Sequence, residues 1–541
     1  MAKFKFEIPY EKDRHGHYRF FEILPGMLSY FMVLLPILLS LINVTLAAVF
    51  ILVYLLINFA RGVAGAVRAL HGYYVMRQHQ KLPWSQMLRE LEDGQVSPQA
   101  KRPKWHVDAL LRKQVRPLMM PPSEVVHAII IATYKESREI LQPTIESVLA
   151  SDFNMKNVLF ILAYEGRAGE ETEKLASELM TEYKTRDVFM DVMAVKHPVL
   201  PGETLGKGGN INFAGRKLQQ YLQEHDIDPT RVMVTTLDAD NRPDKNYLNA
   251  LTYAYVAAPD PIHAAYQPVS LYTNNIWDAP APMRVLATGN SLFNLIASLR
   301  LHALRNFSSH AQPMAALIET DFWSARTVVE DGHQFWRSYF TFDGRYRVLP
   351  LNVPICQDAV LSESYRKTLK AQFIQLRRWT YGASDVAYVA HYGFFRKNKI
   401  PKFDMWAKFW RLLEGHVTWA VGPILILVSG FIPALFHPKS FTANELPLIV
   451  SRVQTVGIAA LIITVFMALL TLPPKPARYK HHRTVFMVLQ WVYFPVTTLF
   501  YNSLAAFNSQ TRLIFKRYLT KFDVTEKATV VGTGKAAKLK S

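Results

Sequence analysis

Two uncharged apolar runs lie almost back to back near the start of the chain, and they constrain its folding more than any other feature. The runs span 23–42 and 44–60, and only Asn43 separates them. Each is close to the ~17–25 residues that a helix needs to cross a bilayer. Neither is typical of a cleavable signal, because the first is too long and a second follows it at once. The pair predicts a membrane-spanning helical hairpin.

Basic residues on both sides of this hairpin predict its orientation. They are Lys3, Lys5, Lys12, Arg14 and Arg19 before it, and Arg61, Arg68 and Arg77 after it. By the positive-inside rule, both outer ends of the hairpin face the cytoplasm. Further spans are predicted at 416–436 and 453–472, followed by a last apolar stretch, 484–507. We therefore expect a multi-pass protein of the cell (inner) membrane, with its polar domain in the cytoplasm.

The pattern divides the chain into five parts. They are an N-terminal segment with the hairpin (1–75), a cytoplasmic linker (76–124), a cytoplasmic domain (125–403), a C-terminal membrane region (404–516) and a cytoplasmic tail (517–541). The formal charge of +19 implies an anionic partner, and the apolar runs make the bilayer the first candidate. No zinc-finger spacing or RNA-binding signature is present, so no nucleic-acid partner is expected. A single cysteine, Cys356, excludes an internal disulfide, and nothing in the sequence predicts an oligomeric state.

Between the spans, short apolar bursts alternate with amphipathic stretches. Predicted strands lie at 125–134, 157–164, 188–195 and 231–238, and predicted helices at 138–150, 170–184 and 211–225. This alternation predicts an α/β domain with a mostly parallel sheet that helices cover on both faces. Ligands bind such sheets at the carboxyl ends of the strands, where "TYKE", "YEGR" and "DADN" fall. Neither a G-x-G-x-x-G motif nor a phosphate-binding loop with the required spacing is present.

Two carboxylates, Asp238 and Asp240, stand two positions apart where the strand 231–238 ends. Like charges this close repel each other unless a cation lies between them. Mg²⁺ or Mn²⁺ suits such oxygen ligands and often bridges to substrate phosphates. The pair therefore predicts a metal–diphosphate clamp, with an Asp-Asn-x-Pro surface turn as the structural alternative.

A second group of polar residues comes later in the chain. Asp358 stands at an apparent helix start in "ICQDAVLSESY", and Gln375, Arg378 and Trp379 share one face of a helix-like stretch. Such a set suits a sugar, because a carboxylate accepts a hydroxyl proton and an indole covers a pyranose face. The structural alternatives are a helix N-cap for Asp358, a surface ion pair for Arg378 and interface packing for Trp379.

Six short motifs follow one another along the chain in a specific order. They are "TYKE" (133–136), "KGGN" (207–210), "DAD" (238–240), "CQD" (356–358), "QLRRW" (375–379) and "FDVTEK" (522–527). In this the chain resembles the processive, membrane-embedded family 2 glycosyltransferases, the group of bacterial cellulose synthase and hyaluronan synthase. Their order is T-Y-x-E, K-A-G-N, D-x-D, an acidic T-E-D-type motif, Q-x-x-R-W and F-x-V-T-x-K. The resemblance covers most of the chain from 125 to 527 and implies a glycosyltransferase A-type domain for nucleotide-diphospho-sugars between transmembrane helices.

The resemblance also implies roles. Thr133, Tyr134, Glu136 and Glu165 would line the donor pocket, Lys207 and Asp238 would approach the diphosphate, and Asp238 with Asp240 would hold Mg²⁺ or Mn²⁺. Asp358 would be the general base, and Gln375, Arg378 and Trp379 would bind the diphosphate and the acceptor sugar. Phe522, Val524, Thr525 and Lys527 would form a gating loop. The implied activity is inverting, processive transfer from a UDP-sugar to a growing polysaccharide.

Three departures from the family pattern leave alternatives open. Glu165 stands where an Asp pair is usual, which leaves the nucleotide base open. Gln357 replaces the acidic neighbour of Asp358, and Glu319, Thr320 and Asp321 stand where small residues are usual. A single-addition transferase with a lipid acceptor, and a catalytically inert membrane scaffold, remain alternatives.

The parity of the spans adds one more expectation. One full crossing by 484–507 would put "FDVTEK" outside, away from UDP-sugars. We therefore expect this stretch to bend at Pro495 and return to the cytoplasmic side.

Overall fold

The strands between the spans form one mixed sheet. A computed structural model describes residues 4–95, 101–480 and 482–521, and within these the sheet has eight strands in the order β3-β2-β1-β4-β7-β6-β8-β5. The strands are β1 Val126–Thr133, β2 Val158–Glu165, β3 Asp191–His197, β4 Val232–Asp238, β5 Arg242–Pro243, β6 Ala264–Leu271, β7 Ala311–Pro313 and β8 Arg347–Cys356. Only the short strands β5 and β7 run antiparallel to their neighbours. The predicted α/β class with a mostly parallel sheet is confirmed.

Nineteen α-helices surround and follow this sheet in the described part of the chain. Those before β4 are α1 Gly16–Ile42, α2 Val44–His79, α3 Trp84–Asp93, α4 Lys104–Val115, α5 Arg138–Leu149, α6 Glu170–Thr185 and α7 Lys207–Glu224. The next six are α8 Tyr247–Ala257, α9 Ala281–Ser298, α10 Met314–Glu319, α11 Glu330–Thr341, α12 Tyr365–Thr380 and α13 Asp385–Phe394. The last six are α14 Lys402–Val428, α15 Ile432–Phe436, α16 Phe441–Leu470, α17 His482–Leu489, α18 Phe494–Thr497 and α19 Leu504–Ile514.

Helices cover both faces of the sheet, which explains why the strands β1, β2 and β4 are buried along almost their whole length. Successive side chains of a strand point to opposite faces, and in β1 Ile129 and Ile131 join one core while Ala128 and Ile130 join the other. Residues of α3 to α6 and α8 complete the first core, and residues of α7 and α10 complete the second. The region expected as a linker, 76–124, thus contributes α3 and α4 to the domain.

The order of the strands fixes where a ligand can bind. From β1 the chain moves outward to β2 and β3 and then returns to place β4 on the other side of β1. This reversal between β1 and β4 is a topological switch point, where parallel sheets open a crevice at the carboxyl ends of their strands. Ala132 of β1 pairs with Asp238 of β4 at this edge, and the parallel strands β6 and β8 end there with Leu271 beside Cys356.

Five helical segments in the described part of the chain are long and apolar enough to cross a membrane. They are Gly16–Ile42, Val44–His79, Lys402–Phe436, Phe441–Leu470 and His482–Ile514. The turn between the first two is made by Asn43, whose Oδ1 atom accepts hydrogen bonds from the backbone N–H groups of Thr45 and Leu46. This side chain caps the second helix and makes so short a connection possible.

The last of these segments is irregular near the expected bend. A 3₁₀ turn at Gln490–Tyr493 precedes α18, Pro495 lies in the first turn of α18, and a π-helical turn spans Thr498–Ser503. Both flanks of the segment lie near the α/β domain. At its start, Arg483 donates to the carbonyl of Trp277 at 2.9 Å, and after its end the N–H of Leu519 donates to the hydroxyl of Tyr381 at 3.4 Å.

Candidate active site

Lys207 is the centre of the polar residues at the switch point. Its buried Nζ atom lies 2.9 Å from Oδ1 of Asp238, 3.3 Å from Asp331 and 3.9 Å from Glu330. Burial would lower the pKa of this ammonium group, but the surrounding carboxylates, Asp238 first, outweigh burial and raise it. Lys207 is therefore a fixed positive charge among three acids.

The helix that carries Lys207 begins four residues earlier than predicted. "KGGN" forms the first turn of α7, after Gly206 with a φ of +146°. A Cβ atom at Gly208 would lie 2.7 Å from the carbonyl oxygen of Ser324 and 3.2 Å from Cβ of Glu330. Glycine therefore lets the start of α7 approach the start of α11, which brings Lys207 to the acids.

Asp240 and Asp358 are joined by a direct contact. The backbone N–H of Asp358 donates to Oδ2 of Asp240 at 3.0 Å, and Asn274 donates to the carbonyl of Asp240 at 2.9 Å. The pairing of β5 with β8, Arg242 opposite Cys356, brings the two segments together. The metal pair and the acid at 358 therefore share one edge of the sheet.

Asp358 does not stand at a helix start, and that expectation from the sequence was wrong. The residues before it, 347–356, pair with β6 as the strand β8, and α12 begins only at Tyr365. Ser364 caps α12 by accepting a hydrogen bond from the N–H of Lys367 at 3.3 Å. Asp358 therefore follows a strand. The alternative that Asp358 is a helix N-cap is excluded as well, because Ser364 is the N-cap of α12.

Sequence reasoning missed Glu330 and Asp331, which open α11 beside Lys207. Glu330 is only 2% exposed, and burial together with the nearby Asp331 raises the pKa of its carboxyl to about 8. Within the described residues, Oε2 of Glu330 accepts no hydrogen bond. The signal was present in "VVED" (328–331), whose adjacent acids fit the expected acidic motif better than Gln357-Asp358 does.

Tyr272 connects the acids to the helix of the Q-x-x-R-W motif. Burial raises the pKa of its hydroxyl, Asp238 and Asp240 raise it further, and Arg378 opposes them. Its ring centroid lies 6.1 Å from that of Trp379, inside an apolar cluster that also contains Tyr501 and Leu469. Arg378 thus lies within electrostatic range of Tyr272 and Glu330, while the Trp379 ring packs among apolar residues at the boundary with the spans.

Gln375 lies one turn earlier on α12 and accepts a hydrogen bond from Gln372 at 3.0 Å. Ser308, which the sequence did not single out, donates to Oδ2 of Asp238 at 2.6 Å. A hydroxyl in that position orients the carboxylate of Asp238 from the side opposite Lys207.

The predicted donor-pocket residues lie at the ends of β1 and β2. Glu136 folds back, so that its Oε2 accepts hydrogen bonds from the hydroxyl of Thr133 and the N–H of Tyr134, both at 2.7 Å. Glu165 pairs with Arg167 at 2.5 Å, and the Arg167 guanidinium lies 4.3 Å from the centroid of the Tyr134 ring. Two interstrand spacings of about 4.8 Å separate the end of β2 from Asp238 at the end of β4. This distance suits a nucleoside that extends from its base to its diphosphate.

The acids at 319–321 lie away from these residues. Glu319 is exposed at the end of α10, and Asp321 pairs with Arg216 of α7 at 2.7 Å. Asp321 and Phe322 both have positive φ, and Phe322 fills the space over Gly215. These residues shape a turn, so their unusual identity gives no information on the sugar or the acceptor.

The described end of the chain approaches the site. Thr520 O accepts a hydrogen bond from Leu205 N–H at 3.3 Å, and Lys521 forms a parallel bridge with Leu205, two residues before Lys207. The predicted gating residues Phe522, Val524, Thr525 and Lys527 lie outside the described residues.

Asp238 and Asp240 match a metal that takes part of its shell from a substrate. Within the described residues, no group of three or more His, Cys, Asp or Glu side chains is arranged to hold a metal ion. Mg²⁺ is usually bound by one or two carboxylates and completes its shell with water and substrate phosphates. Asp238 and Asp240 supply two carboxylates of the kind that such a metal uses.

Comparison with known proteins gives structural neighbours alone. No family model and no curated protein matches the chain. A mannosyltransferase, PcManGT from Pyrobaculum calidifontis in complex with GDP-Man and Mn²⁺, is similar at 15% identity over 84% of this chain and 100% of its own, with a TM-score of 0.40.

Two further neighbours are S. aureus TarS 1–349 in complex with UDP-GlcNAc and GalNAc-T7 with UDP, GalNAc and Mn²⁺. TarS is 11% identical over 72% of this chain and 92% of its own, with a TM-score of 0.34. GalNAc-T7 is 11% identical over 54% of this chain and 56% of its own, with a TM-score of 0.30. Because all three TM-scores are below 0.5, the similarity by itself assigns neither a substrate nor a reaction.

Proposed function

We propose that the protein is an inverting membrane glycosyltransferase of the A type that transfers a sugar from a UDP-sugar to a growing polysaccharide, processively. The observation that carries the proposal is the convergence at the switch point. Lys207 contacts Asp238, the backbone N–H of Asp358 contacts Asp240, and Tyr272 lies within electrostatic range of Asp238, Asp240 and Arg378. These contacts support a common site for four separate motifs of the sequence.

In this proposal Asp238 and Asp240 hold Mg²⁺ or Mn²⁺ together with the diphosphate of the donor. The bound metal supplies positive charge to the UDP leaving group. Lys207 and Arg378 add fixed positive charge on the same side, and Ser308 keeps the Asp238 carboxylate in place. The nucleoside extends across β1 toward Tyr134, Glu165 and Arg167.

The reaction is a single displacement at the anomeric carbon. Asp358 removes the proton from an acceptor hydroxyl, the hydroxyl oxygen forms a bond to that carbon, and the bond to the diphosphate oxygen breaks so that UDP leaves with the electron pair. Asp331 competes for the role of base, because it lies in the same acidic group around Lys207. The Trp379 ring would support the acceptor sugar at the boundary with the spans.

The proposal includes a location. The basic residues that flank the spans favour a cytoplasmic α/β domain, where UDP-sugars are available. The tail that carries Thr525 and Lys527 would close over the bound donor and exclude water from it.

A donor screen followed by product sizing tests the proposal. Membranes containing the protein are supplied with labelled UDP-sugars and, because Glu165 replaces the usual Asp pair, also with GDP-sugars, each with Mg²⁺ or Mn²⁺. We expect UDP release and a ladder of long products. A single-addition product that extracts with lipid would instead favour the lipid-acceptor transferase, and no release from any donor would favour an inert scaffold.

A further inference from the structure

Arginines from three elements converge where the spans meet the α/β domain. Arg61 and Arg68 lie on α2, Arg300 lies just after α9, and Arg411 lies on the N-terminal half of α14. We call these four residues the arginine cluster. They belong to segments far apart in sequence, and none of them takes part in the proposed transfer reaction.

Close packing holds these three elements together. An added Cβ atom at Gly72 of α2 would lie 2.5 Å from the carbonyl oxygen of Leu295, so α2 and α9 are in direct contact. The Arg411 guanidinium donates to the carbonyl of His302 at 2.8 Å, which holds α14 against the segment after α9. The positions of the arginines are therefore set by the fold.

The arginine cluster has too few acids to balance it. Glu414 pairs with Arg61 at 2.6 Å. Among the described residues, no carboxylate lies within 4.0 Å of Arg68, Arg300 or Arg411, and no group accepts a hydrogen bond from the guanidinium of Arg68 or Arg300. Burial lowers the pKa of Arg300, the charges of Arg68, Arg411 and Arg61 lower it further, and Glu414 raises it, but the net effect is a lowered pKa. A bound anion would relieve this repulsion.

Each of three arginines has an exposed apolar neighbour in the chain. Val67 is 57% exposed beside Arg68, Leu301 is 61% exposed beside Arg300, and Trp410 is 63% exposed beside Arg411. Trp and Arg side chains are typical of the membrane interface, where one end of a side chain is apolar and the other meets headgroups. The apolar run 44–60 ends next to Arg61, so the cluster lies at the domain-side end of the spans.

We propose that the arginine cluster binds the phosphate group of an anionic glycerophospholipid from the leaflet that faces the α/β domain. The guanidinium groups contact the phosphate oxygens, and the acyl chains extend into the bilayer beside the spans. Because the cluster lies where the spans end, lipid headgroups are the anions held next to it. This site is separate from the proposed transfer reaction and does not depend on it.

Lipid titration of the full-length protein tests the inference. The protein is purified in mixed micelles and titrated with phosphatidylglycerol, and bound lipid is counted by native mass spectrometry. We expect saturable binding that the double variant Arg68→Gln/Arg300→Gln weakens by about 10- to 30-fold. Phosphatidylcholine and inorganic phosphate serve as the other two ligands, and neither should displace phosphatidylglycerol.

A matched variant separates a site from general charge. Lys475→Gln/Lys480→Gln removes the same charge from the loop before α17, near the same end of the spans, and should bind phosphatidylglycerol as the wild type does. Both variants are first compared with the wild type by thermal unfolding in detergent. Equal weakening in both pairs would mean general attraction and overturn the site. Wild-type affinity in the Arg68/Arg300 variant would also overturn it, and displacement by inorganic phosphate would show that the ligand is a soluble anion.

Discussion

The backbone N–H of Asp358 donates a 3.0 Å hydrogen bond to Oδ2 of Asp240, although 118 positions separate the two residues in sequence. This bond fixes the loop after β8 to the end of β4. It means that the acid proposed as a base is positioned by the acid proposed as a metal ligand. Substitutions at the two positions should therefore differ in their effects on UDP affinity and on turnover.

Asp240→Asn keeps an oxygen that can accept the Asp358 N–H but removes the negative charge. We expect metal-dependent UDP affinity to fall at least about tenfold, with the thermal midpoint close to that of the wild type. Calorimetric titration of UDP with and without Mn²⁺ measures this. Asp108→Asn, a change on an exposed part of α4, is the control, and an unchanged Mn²⁺ dependence in Asp240→Asn would remove the metal role.

Asp358→Asn should lower turnover by about 10²- to 10⁴-fold, the contribution of a general base, while UDP affinity stays near that of the wild type. Asp331→Asn is measured beside it, because both acids lie at the same edge of the sheet. Near-wild-type turnover in Asp358→Asn with a large loss in Asp331→Asn would transfer the role of base to Asp331.

The contribution of Glu330 to the stability of the fold should decrease as pH rises. Its pKa is raised from 4.5 to about 8 in the fold, so between these values the folded state holds a proton that the unfolded state has lost. The stabilisation is fully present below about pH 4.5 and is lost as pH rises toward 8, by at most about 1.4 kcal/mol per pH unit.

The variant Glu330→Gln removes this titration. Thermal midpoints in detergent at a series of pH values should fall less steeply for Glu330→Gln than for the wild type. Glu319→Gln changes an exposed carboxyl on α10 and should keep the wild-type slope. Identical slopes for Glu330→Gln and the wild type would show that the Glu330 carboxyl is ionised at neutral pH.

Gly208→Ala should damage the site by displacing α7. The new Cβ atom would meet a backbone oxygen at 2.7 Å, which cannot move as a flexible side chain can. We expect a loss of about 1–3 kcal/mol in the free energy of unfolding and a larger loss of donor binding, because Lys207 moves with the helix. Gly289→Ala on α9, where nothing lies within 4 Å, is the control. Equal behaviour of the two variants would contradict the close approach of α7 and α11.

Lys527→Ala should raise the KM for the donor about tenfold if this lysine makes a charge-assisted contact to the diphosphate. Lys540→Ala, a charge loss near the end of the same tail, should have no effect. A reporter fused to the C-terminus gives an independent check. If the reporter lies outside the cytoplasm, the gating role of the tail is excluded.

The α/β class and the ends of β1, β2 and β4 were predictable from sequence, because buried parallel strands give apolar runs that end sharply at polar residues. The strand β8 was not predictable from sequence. It contains Pro350 and Pro354, and the loop that follows it, with Asp358, was interpreted as the start of a helix. The misreading also drew attention to Asp358 and away from Glu330 and Asp331.

The spatial distances between the motifs could not be predicted from the sequence either. Ser308 and Tyr272 reach the acids only because β6, β7 and β8 bring their flanking loops to the edge where β4 ends. Contacts of this kind depend on strand order, and no local pattern encodes strand order. The arginine cluster is a further case, since its members come from α2, from the segment after α9 and from α14, which are distant in sequence.

Residues 6–8, which precede the hairpin, belong to the folded domain that follows it. Phe6 and Ile8 lie in one apolar core with Tyr339, Phe340 and Tyr388, and Glu7 binds Arg337 at 2.7 Å across 330 positions. Translation produces this short segment before α11 and α13, yet its binding place exists only once those two helices have been synthesised. The segment must therefore remain on the same side of the bilayer while two helices insert beside it, and completion of the domain is a late event in biogenesis.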